Sequence, residues 1–189
     1  MIVNAIIQAR MGSKRLPGKV MMPLRGKPAI GLMVDRVRCA DVDKVIVAGP
    51  ACDANSPLAH YLADCKIDHY FGDEENDLCA RFLSTLALFP CDAFLRLCAD
   101  SPFISPEVVT IMANQLRQGA EVASNVGLKM LTPGNSVEGS TVDNYRNAVV
   151  PEARPEEREH AGFPAIYRII AEGGTLMDTM EDYERIKNL

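Results

Sequence analysis

Residues 2–20 read IVNAIIQARMGSKRLPGKV. The first seven, Ile2 to Gln8, form a nearly continuous apolar run instead of an alternating one, which predicts a β-strand buried on both faces. A loop follows directly. Arg10, Lys14, Arg15 and Lys19 crowd among Gly12, Pro17 and Gly18, a composition suited to phosphate because glycines admit close backbone approach and the cations supply donors. A buried strand that runs into such a loop is the opening unit of an α/β layered fold, with the loop on the rim where ligands bind.

The loop is not of the Walker A kind. That motif needs G-x-x-x-x-G-K and then Ser or Thr, whose hydroxyl reaches magnesium as the helix begins. Here five residues separate Gly12 from Gly18, and Val20 stands where the hydroxyl belongs. Pro17 and Pro23 also bar a regular helix immediately after Lys19. The loop is therefore expected to wrap a triphosphate rather than cradle it, with a solvated basic turn as the plainer alternative.

Downstream, strand and helix patterns alternate. Pro28 to Cys39 has helical apolar spacing, Lys44 to Ala48 is a buried strand, Leu58 to Cys65 a helix, Ile67 to Phe71 a short strand and Leu78 to Phe89 an amphipathic helix. Ala93 to Cys98 (AFLRLC) is a strand ending at ADSPF, after which Ser105 caps a helix with Pro106 at its first position. Glu121 to Asn125 is expected to be a strand, and 126–139 shows no clear pattern. Pro155 to Ala171 reads as helix, Thr175 to Met177 as a strand and Glu181 to Leu189 as a terminal helix. No repeat or linker divides the chain, so residues 1–189 are read as a single domain with a largely parallel sheet flanked by helices. The basic loop and ADSP then fall on the same rim, beyond the carboxyl ends of the strands.

Bulk properties narrow the class. The 189 residues are 48% hydrophobic and 24% charged, with a formal net charge of -5, which argues against a general nucleic-acid binder. No apolar run approaches the roughly 20 residues that span a bilayer, and no signal peptide opens the chain, so a cytoplasmic protein without membrane association is expected. The six cysteines include no CxxC pair or cysteine–histidine cluster and are read mostly as reduced packing residues.

The run IIQARMGSKRLPGKVMMPLRGKP resembles the N-terminal signature of the sugar cytidylyltransferases, particularly the spore-coat-polysaccharide branch related to the acylneuraminate and 3-deoxy-manno-octulosonate enzymes. FGDEENDLCARF is similar to the family's G-S-E-x-D-V-L-x-R-[FY], and FLRLCADSPFISPEVV to its strand ending in G-D-C-P-L-I-D-P. EREHAGFPAIYR and LMDTMEDYERIK resemble E-R-E-H-V-T-P-Y-I-Y and L-T-V-D-T-P-E-D. The resemblance implies a Rossmann-like nucleotide-diphospho-sugar transferase fold of the glycosyltransferase-A type. It also implies transfer of CMP from CTP to an acidic or related sugar acceptor, with pyrophosphate released, magnesium as cofactor and a homodimer as the assembly, in surface polysaccharide or nucleotide-sugar biosynthesis.

Carried over by position, Arg15 and Lys19 match triphosphate contacts, with Gln8, Ala9, Arg10, Gly12, Ser13 and Lys14 adding nucleotide contacts from the same stretch. Asn76, Asp77 and Arg81 match a segment near the nucleotide. Asp100 and Asp178 match the metal-binding aspartates, a pair that suits octahedral magnesium retaining several waters. Arg15, Lys19 and Asp100 are the candidate catalytic residues, and Glu138, Glu159 and His160 the candidate sugar contacts. Each has a plainer reading: Asp100 as a turn or capping residue before Pro102, Asp178 as the N-cap of the last helix, Asp73 to Asp77 as a solvated acidic turn, and His160 as a helix-face histidine. His60 and His69 match no motif and are read as structural.

Three departures stand out. VAGPACD replaces the family's V-A-T-[ST] after the second strand, Ser136 replaces an aspartate in PGNSVEG, and the chain is short between Arg168 and Thr175. They keep open a second function, a non-catalytic nucleotide-binding or interaction protein derived from the family. Retention of Arg15, Lys19, Asp100 and Asp178 together favours the enzyme.

Overall fold

The computed structural model describes residues 1–72, 77–125, 134–149, 177 and 179–187. Its main sheet has six strands: β1 (Val3–Gln8), β4 (Lys44–Gly49), β5 (Asp68–Phe71), β6 (Ala93–Cys98), β7 (Val122–Ser124) and β8 (Glu138–Thr141), in the spatial order β5-β4-β1-β6-β8-β7. β1, β4, β5 and β6 are parallel to one another; β8 runs antiparallel to both β6 and β7. The expected mostly parallel α/β sheet is thus present, with one reversed strand that the unpatterned stretch 126–139 concealed.

β1 is buried on both faces, as its continuous apolar pattern requires. Val3, Ala5 and Ile7 join a core with Ile30, Met33 and Val34 of α1 (Ala29–Val37), Leu58 and Leu62 of α2 (Ser56–Asp64), and Val109, Ala113 and Leu116 of α4 (Pro106–Arg117). Ile6 faces the opposite core with Phe82 and Leu86 of α3 (Leu78–Leu88) and Tyr145 of α5 (Val142–Ala148). There Phe82, Phe94 and Tyr145 pack as a triad with ring centroids 5.0–6.2 Å apart. Ile2, expected within the strand, is 49% exposed.

A third small core closes over the loop after β1. A hairpin of β2 (Pro23–Leu24) and β3 (Lys27–Pro28) turns through Arg25 and Gly26, both at positive φ, the conformation of a tight two-residue turn. Leu16 and Leu24 pack there with Met177 and with Ile186 of the terminal helix α6 (Met180–Ile186). The sequence pattern identifies neither this hairpin nor α5, which Thr141 caps by accepting the Asn144 N–H.

Several boundaries differ from expectation. α2 begins at Ser56, ahead of Leu58, and β5 at Asp68. Ser105 caps α4 through its side chain with Pro106 at the first position, as the spacing predicts. Cys39, Cys52 and Cys65 are exposed, not packed, while Cys79 is buried and Cys91 and Cys98 are partly so. The expected helix at 155–171 lies outside the described residues, as does most of the strand expected at 175–177.

Candidate active site

The chain leaves β1 through α1 to β4 and then α2 to β5 on one side; α3 returns it to β6 on the other side of β1. The direction of winding reverses between β1 and β6, and a crevice opens at their carboxyl ends. Gln8 and Cys98 are the last residues of those strands and stand in register. The basic loop leaves one strand there and Asp100 follows the other.

The loop closes on itself around Met11, whose carbonyl accepts the N–H groups of Ser13 and Gly18, both at 2.9 Å. Gly18 sits at φ 72, left-handed backbone that favours glycine. Leu16 is 4% exposed and anchors the ring in the third core, and Ser13 Oγ accepts the Leu16 N–H at 3.3 Å. Arg10, Gly12, Lys14 and Arg15 stay exposed on the outside of the ring, while Ala9 is buried beneath it. The loop is an ordered ring, and no regular helix begins at Lys19, where a single 3-10 turn, Lys19–Met21, follows instead.

That turn sends Lys19 across the crevice. Its Nζ lies 3.4 Å from Asp100 Oδ2, with side-chain exposures of 12% and 15%. Ser101 Oγ donates to the other carboxylate oxygen at 3.4 Å. The Asp100 backbone carbonyl accepts the N–H of Met177 at 2.7 Å, so Asp178 is one residue along the chain from a backbone contact with Asp100, although Asp178 itself lies outside the described residues. The N-cap of α6 is Thr179, in a capping box with Asp182, so the capping role considered for Asp178 belongs to its neighbour. The cap of α4 is likewise Ser105 and not Asp100.

Other predicted residues sit apart from this contact. Asp77 caps α3 by accepting the Ala80 N–H at 2.9 Å, and Arg81 is 4% exposed on the inner face of that helix. Glu138 pairs with Arg96 at 3.5 Å across β8 and β6, where the two residues are in register. Asn76, Glu159 and His160 lie outside the described residues. His60 is exposed, and His69 Nδ1 lies 2.7 Å from the Ile67 carbonyl.

On the second core face, Gln8 Nε2 donates to Cys98 Sγ. Burial pushes the Cys98 thiol up to about 11, with the Asp100 carboxylate adding to the rise, so it stays protonated near neutral pH and is no nucleophile. Sequence reasoning passed over Arg96, although a charged residue inside AFLRLC was a visible signal. It also passed over Asn55, which precedes Ser56 and Pro57 like a helix cap. Asn55 makes no side-chain cap bond; its Oδ1 accepts the Met11 N–H and its Nδ2 donates to the Pro50 carbonyl, both at 2.7 Å.

The departure at Gly49 has a packing cause. A Cβ there would lie 2.5 Å from Phe71 and 2.8 Å from the Ala9 carbonyl, so β4 and the start of the basic loop approach too closely for a side chain. A separate open depression of about 720 Å³, lined by Met1, Pro90, Cys91, Asp92 and Asn144 among others, lies at the amino ends of the strands and gathers none of the predicted residues.

Of the two candidate metal ligands only Asp100 lies among the described residues, and no group of three or more potential metal ligands occurs among them. A half-buried carboxylate beside a ring of cations fits magnesium, which takes one or two carboxylates and completes its shell with water and phosphate oxygens. Among the described residues no helix is long and apolar enough to cross a membrane.

A family profile described as Cytidylyltransferase matches residues 4–172. The spore coat polysaccharide biosynthesis protein SpsF of Bacillus subtilis (strain 168) is 29% identical, over 97% of this chain and 84% of its own. A 3-deoxy-manno-octulosonate cytidylyltransferase of Idiomarina loihiensis is 30% identical over 61% of this chain and 46% of its own, so the chain spans less than half of that relative. Among solved structures, a cytidylyltransferase from Leptospira borgpetersenii superposes with a TM-score of 0.85 at 26% identity, covering 99% of this chain and 85% of that one.

Proposed function

The chain belongs to the cytidylyltransferase family, and from that premise we propose that it transfers CMP from CTP to a sugar acceptor and releases pyrophosphate. The observation that carries this reading is the Lys19–Asp100 contact at the crevice between β1 and β6. Displacement at the α-phosphate needs a cation for the departing pyrophosphate and an anchor for a divalent ion, and one residue of each kind meets there.

Arg15 and Lys19 hold the pyrophosphate oxygens, with Arg10, Lys14 and the backbone at Gly12 and Ser13 adding donors. Gln8, Ala9, Asn76, Asp77 and Arg81 are the remaining proposed nucleotide contacts. Asp100 and Asp178 hold magnesium. When bound, the ion supplies charge neutralisation at the α-phosphate. Lys19, which balances Asp100 in the ligand-free chain, becomes available to phosphate once that carboxylate has another cation. Glu138, Glu159 and His160 are the proposed sugar contacts, and an acidic sugar of the kind used in surface polysaccharides is the proposed class. We take residues 1–189 as one nucleotidyltransferase domain acting as a cytoplasmic homodimer.

The test is pyrophosphate release from CTP with Mg2+ across a panel of acidic and neutral sugars. Release with at least one sugar, and none without sugar, is expected. Tight CTP binding with no release on any sugar would instead support a non-catalytic nucleotide-binding protein.

A further inference from the structure

We propose that Asn55 is a positioning residue for the triphosphate loop, acting through Met11 and not through substrate; this rests on the reading of that loop as the CTP site. Asn55 is 2% exposed, so its carboxamide is spent inside the protein. It joins the loop after β4, through the Pro50 carbonyl, to the loop after β1, through the Met11 N–H.

Met11 is the residue on which the loop closes. Asn55 holds its N–H, and its carbonyl takes the N–H groups of Ser13 and Gly18. With both polar backbone groups engaged, the orientation of Met11 sets the ring of residues 11–18 and hence the starting point of the 3-10 turn that aims Lys19 at Asp100. Without the Asn55 oxygen the ring keeps its own closure but loses its tether to the sheet. The cost of ordering it then falls on nucleotide binding, which weakens affinity and leaves the bound complex intact. KM for CTP therefore rises while kcat is nearly retained.

The experiment compares wild type, Asn55→Ala and Asn55→Asp by calorimetric titration with CTP and Mg2+, by steady-state pyrophosphate release and by hydrogen exchange without nucleotide. Asn55→Ala is expected to bind CTP roughly tenfold more weakly, as for loss of one buried acceptor, with kcat within about twofold and protection lost at the Met11 amide. Asn55→Asp keeps an oxygen for the Met11 N–H but sets a carboxylate oxygen against the Pro50 carbonyl, so it is expected to keep protection at the Met11 amide while binding CTP more weakly than wild type. Asp43→Ala is the control for a purely structural effect. Asp43 accepts the Val3 N–H at 2.7 Å at the opposite end of the sheet, and its loss is expected to lower stability and leave CTP affinity unchanged.

A folded Asn55→Ala protein with wild-type CTP affinity overturns the proposal, and so does one that keeps wild-type protection at the Met11 amide. Should the Ala variant not fold, exchange on the wild type decides. A wild-type Met11 amide that exchanges as fast as that of Lys14 overturns the tether. Failure of the wild type to bind CTP would refute the function reading alone, because exchange reads the tether without nucleotide.

Discussion

Removing either member of the Lys19–Asp100 pair is expected to destabilise the ligand-free protein, and removing both is expected to cost less than the sum. At 3.4 Å, two unit charges attract by about 5 kcal/mol at an effective dielectric of about 20. Desolvation and immobilisation of the lysine stem offset much of this. With side-chain exposures of 12% and 15% the pair lies nearer the buried than the surface regime, which leaves a coupling of about 1.5–3 kcal/mol. The assay is a double-mutant cycle in urea with Lys19→Met, Asp100→Asn and the double variant, without nucleotide or metal. A second arm follows from the shared carboxylate. Lys19→Met is expected to raise the affinity of the nucleotide-free protein for Mn2+ several-fold, because a competing cation is gone, while weakening CTP binding. Asp100→Asn is expected to abolish the Mn2+ signal. A coupling below about 0.5 kcal/mol, or Lys19→Met with unchanged CTP affinity, would refute the reasoning.

Asp43 gives an acid-limb prediction. The Val3 N–H and then Arg117 hold its carboxyl below the ordinary 3.8, so the stability it contributes is complete above that value and is lost as pH falls through the lower folded value; Asp43→Asn should flatten the pH dependence of the urea midpoint below about pH 4, and an unchanged slope would count against it. Thr179→Ala breaks the capping box of α6 and is expected to cost about 1 kcal/mol, read as a lower melting temperature. Gly49→Val forces a Cβ against Phe71 and the Ala9 carbonyl and should cost more than about 2 kcal/mol while weakening CTP binding; a neutral Val would show that the two loops separate freely.

Much of the architecture is legible in local pattern. The mostly apolar runs of β1, β4 and β6, interrupted only by Asn4 and Arg96 in their interiors, announce strands with both faces covered, and Ser105 with Pro106 announces the start of α4, because burial and capping act on neighbours a few residues apart. β8 was illegible for the complementary reason. Of Glu138, Gly139, Ser140 and Thr141 only Thr141 favours a strand, and this strand is specified by pairing with β6 and β7. Arg25 and Gly26 make a hairpin whose flanking strands are two residues each, too short to leave a period.

The site divides along the same line. Residue type and spacing in QARMGSKRLPGKV suffice to exclude a Walker loop and to put its cations on the same rim as ADSP. Which cation meets the aspartate is decided across 81 residues of chain, by the sheet order that sets β6 beside β1 and by the ring that turns Lys19 inward while Arg15 stays exposed. The use of Asn55 belongs wholly to the tertiary structure. Its sequence context reads as a helix cap, yet its carboxamide faces Met11 and Pro50, because side-chain partners depend on which loops the sheet brings together, and local spacing carries no record of that.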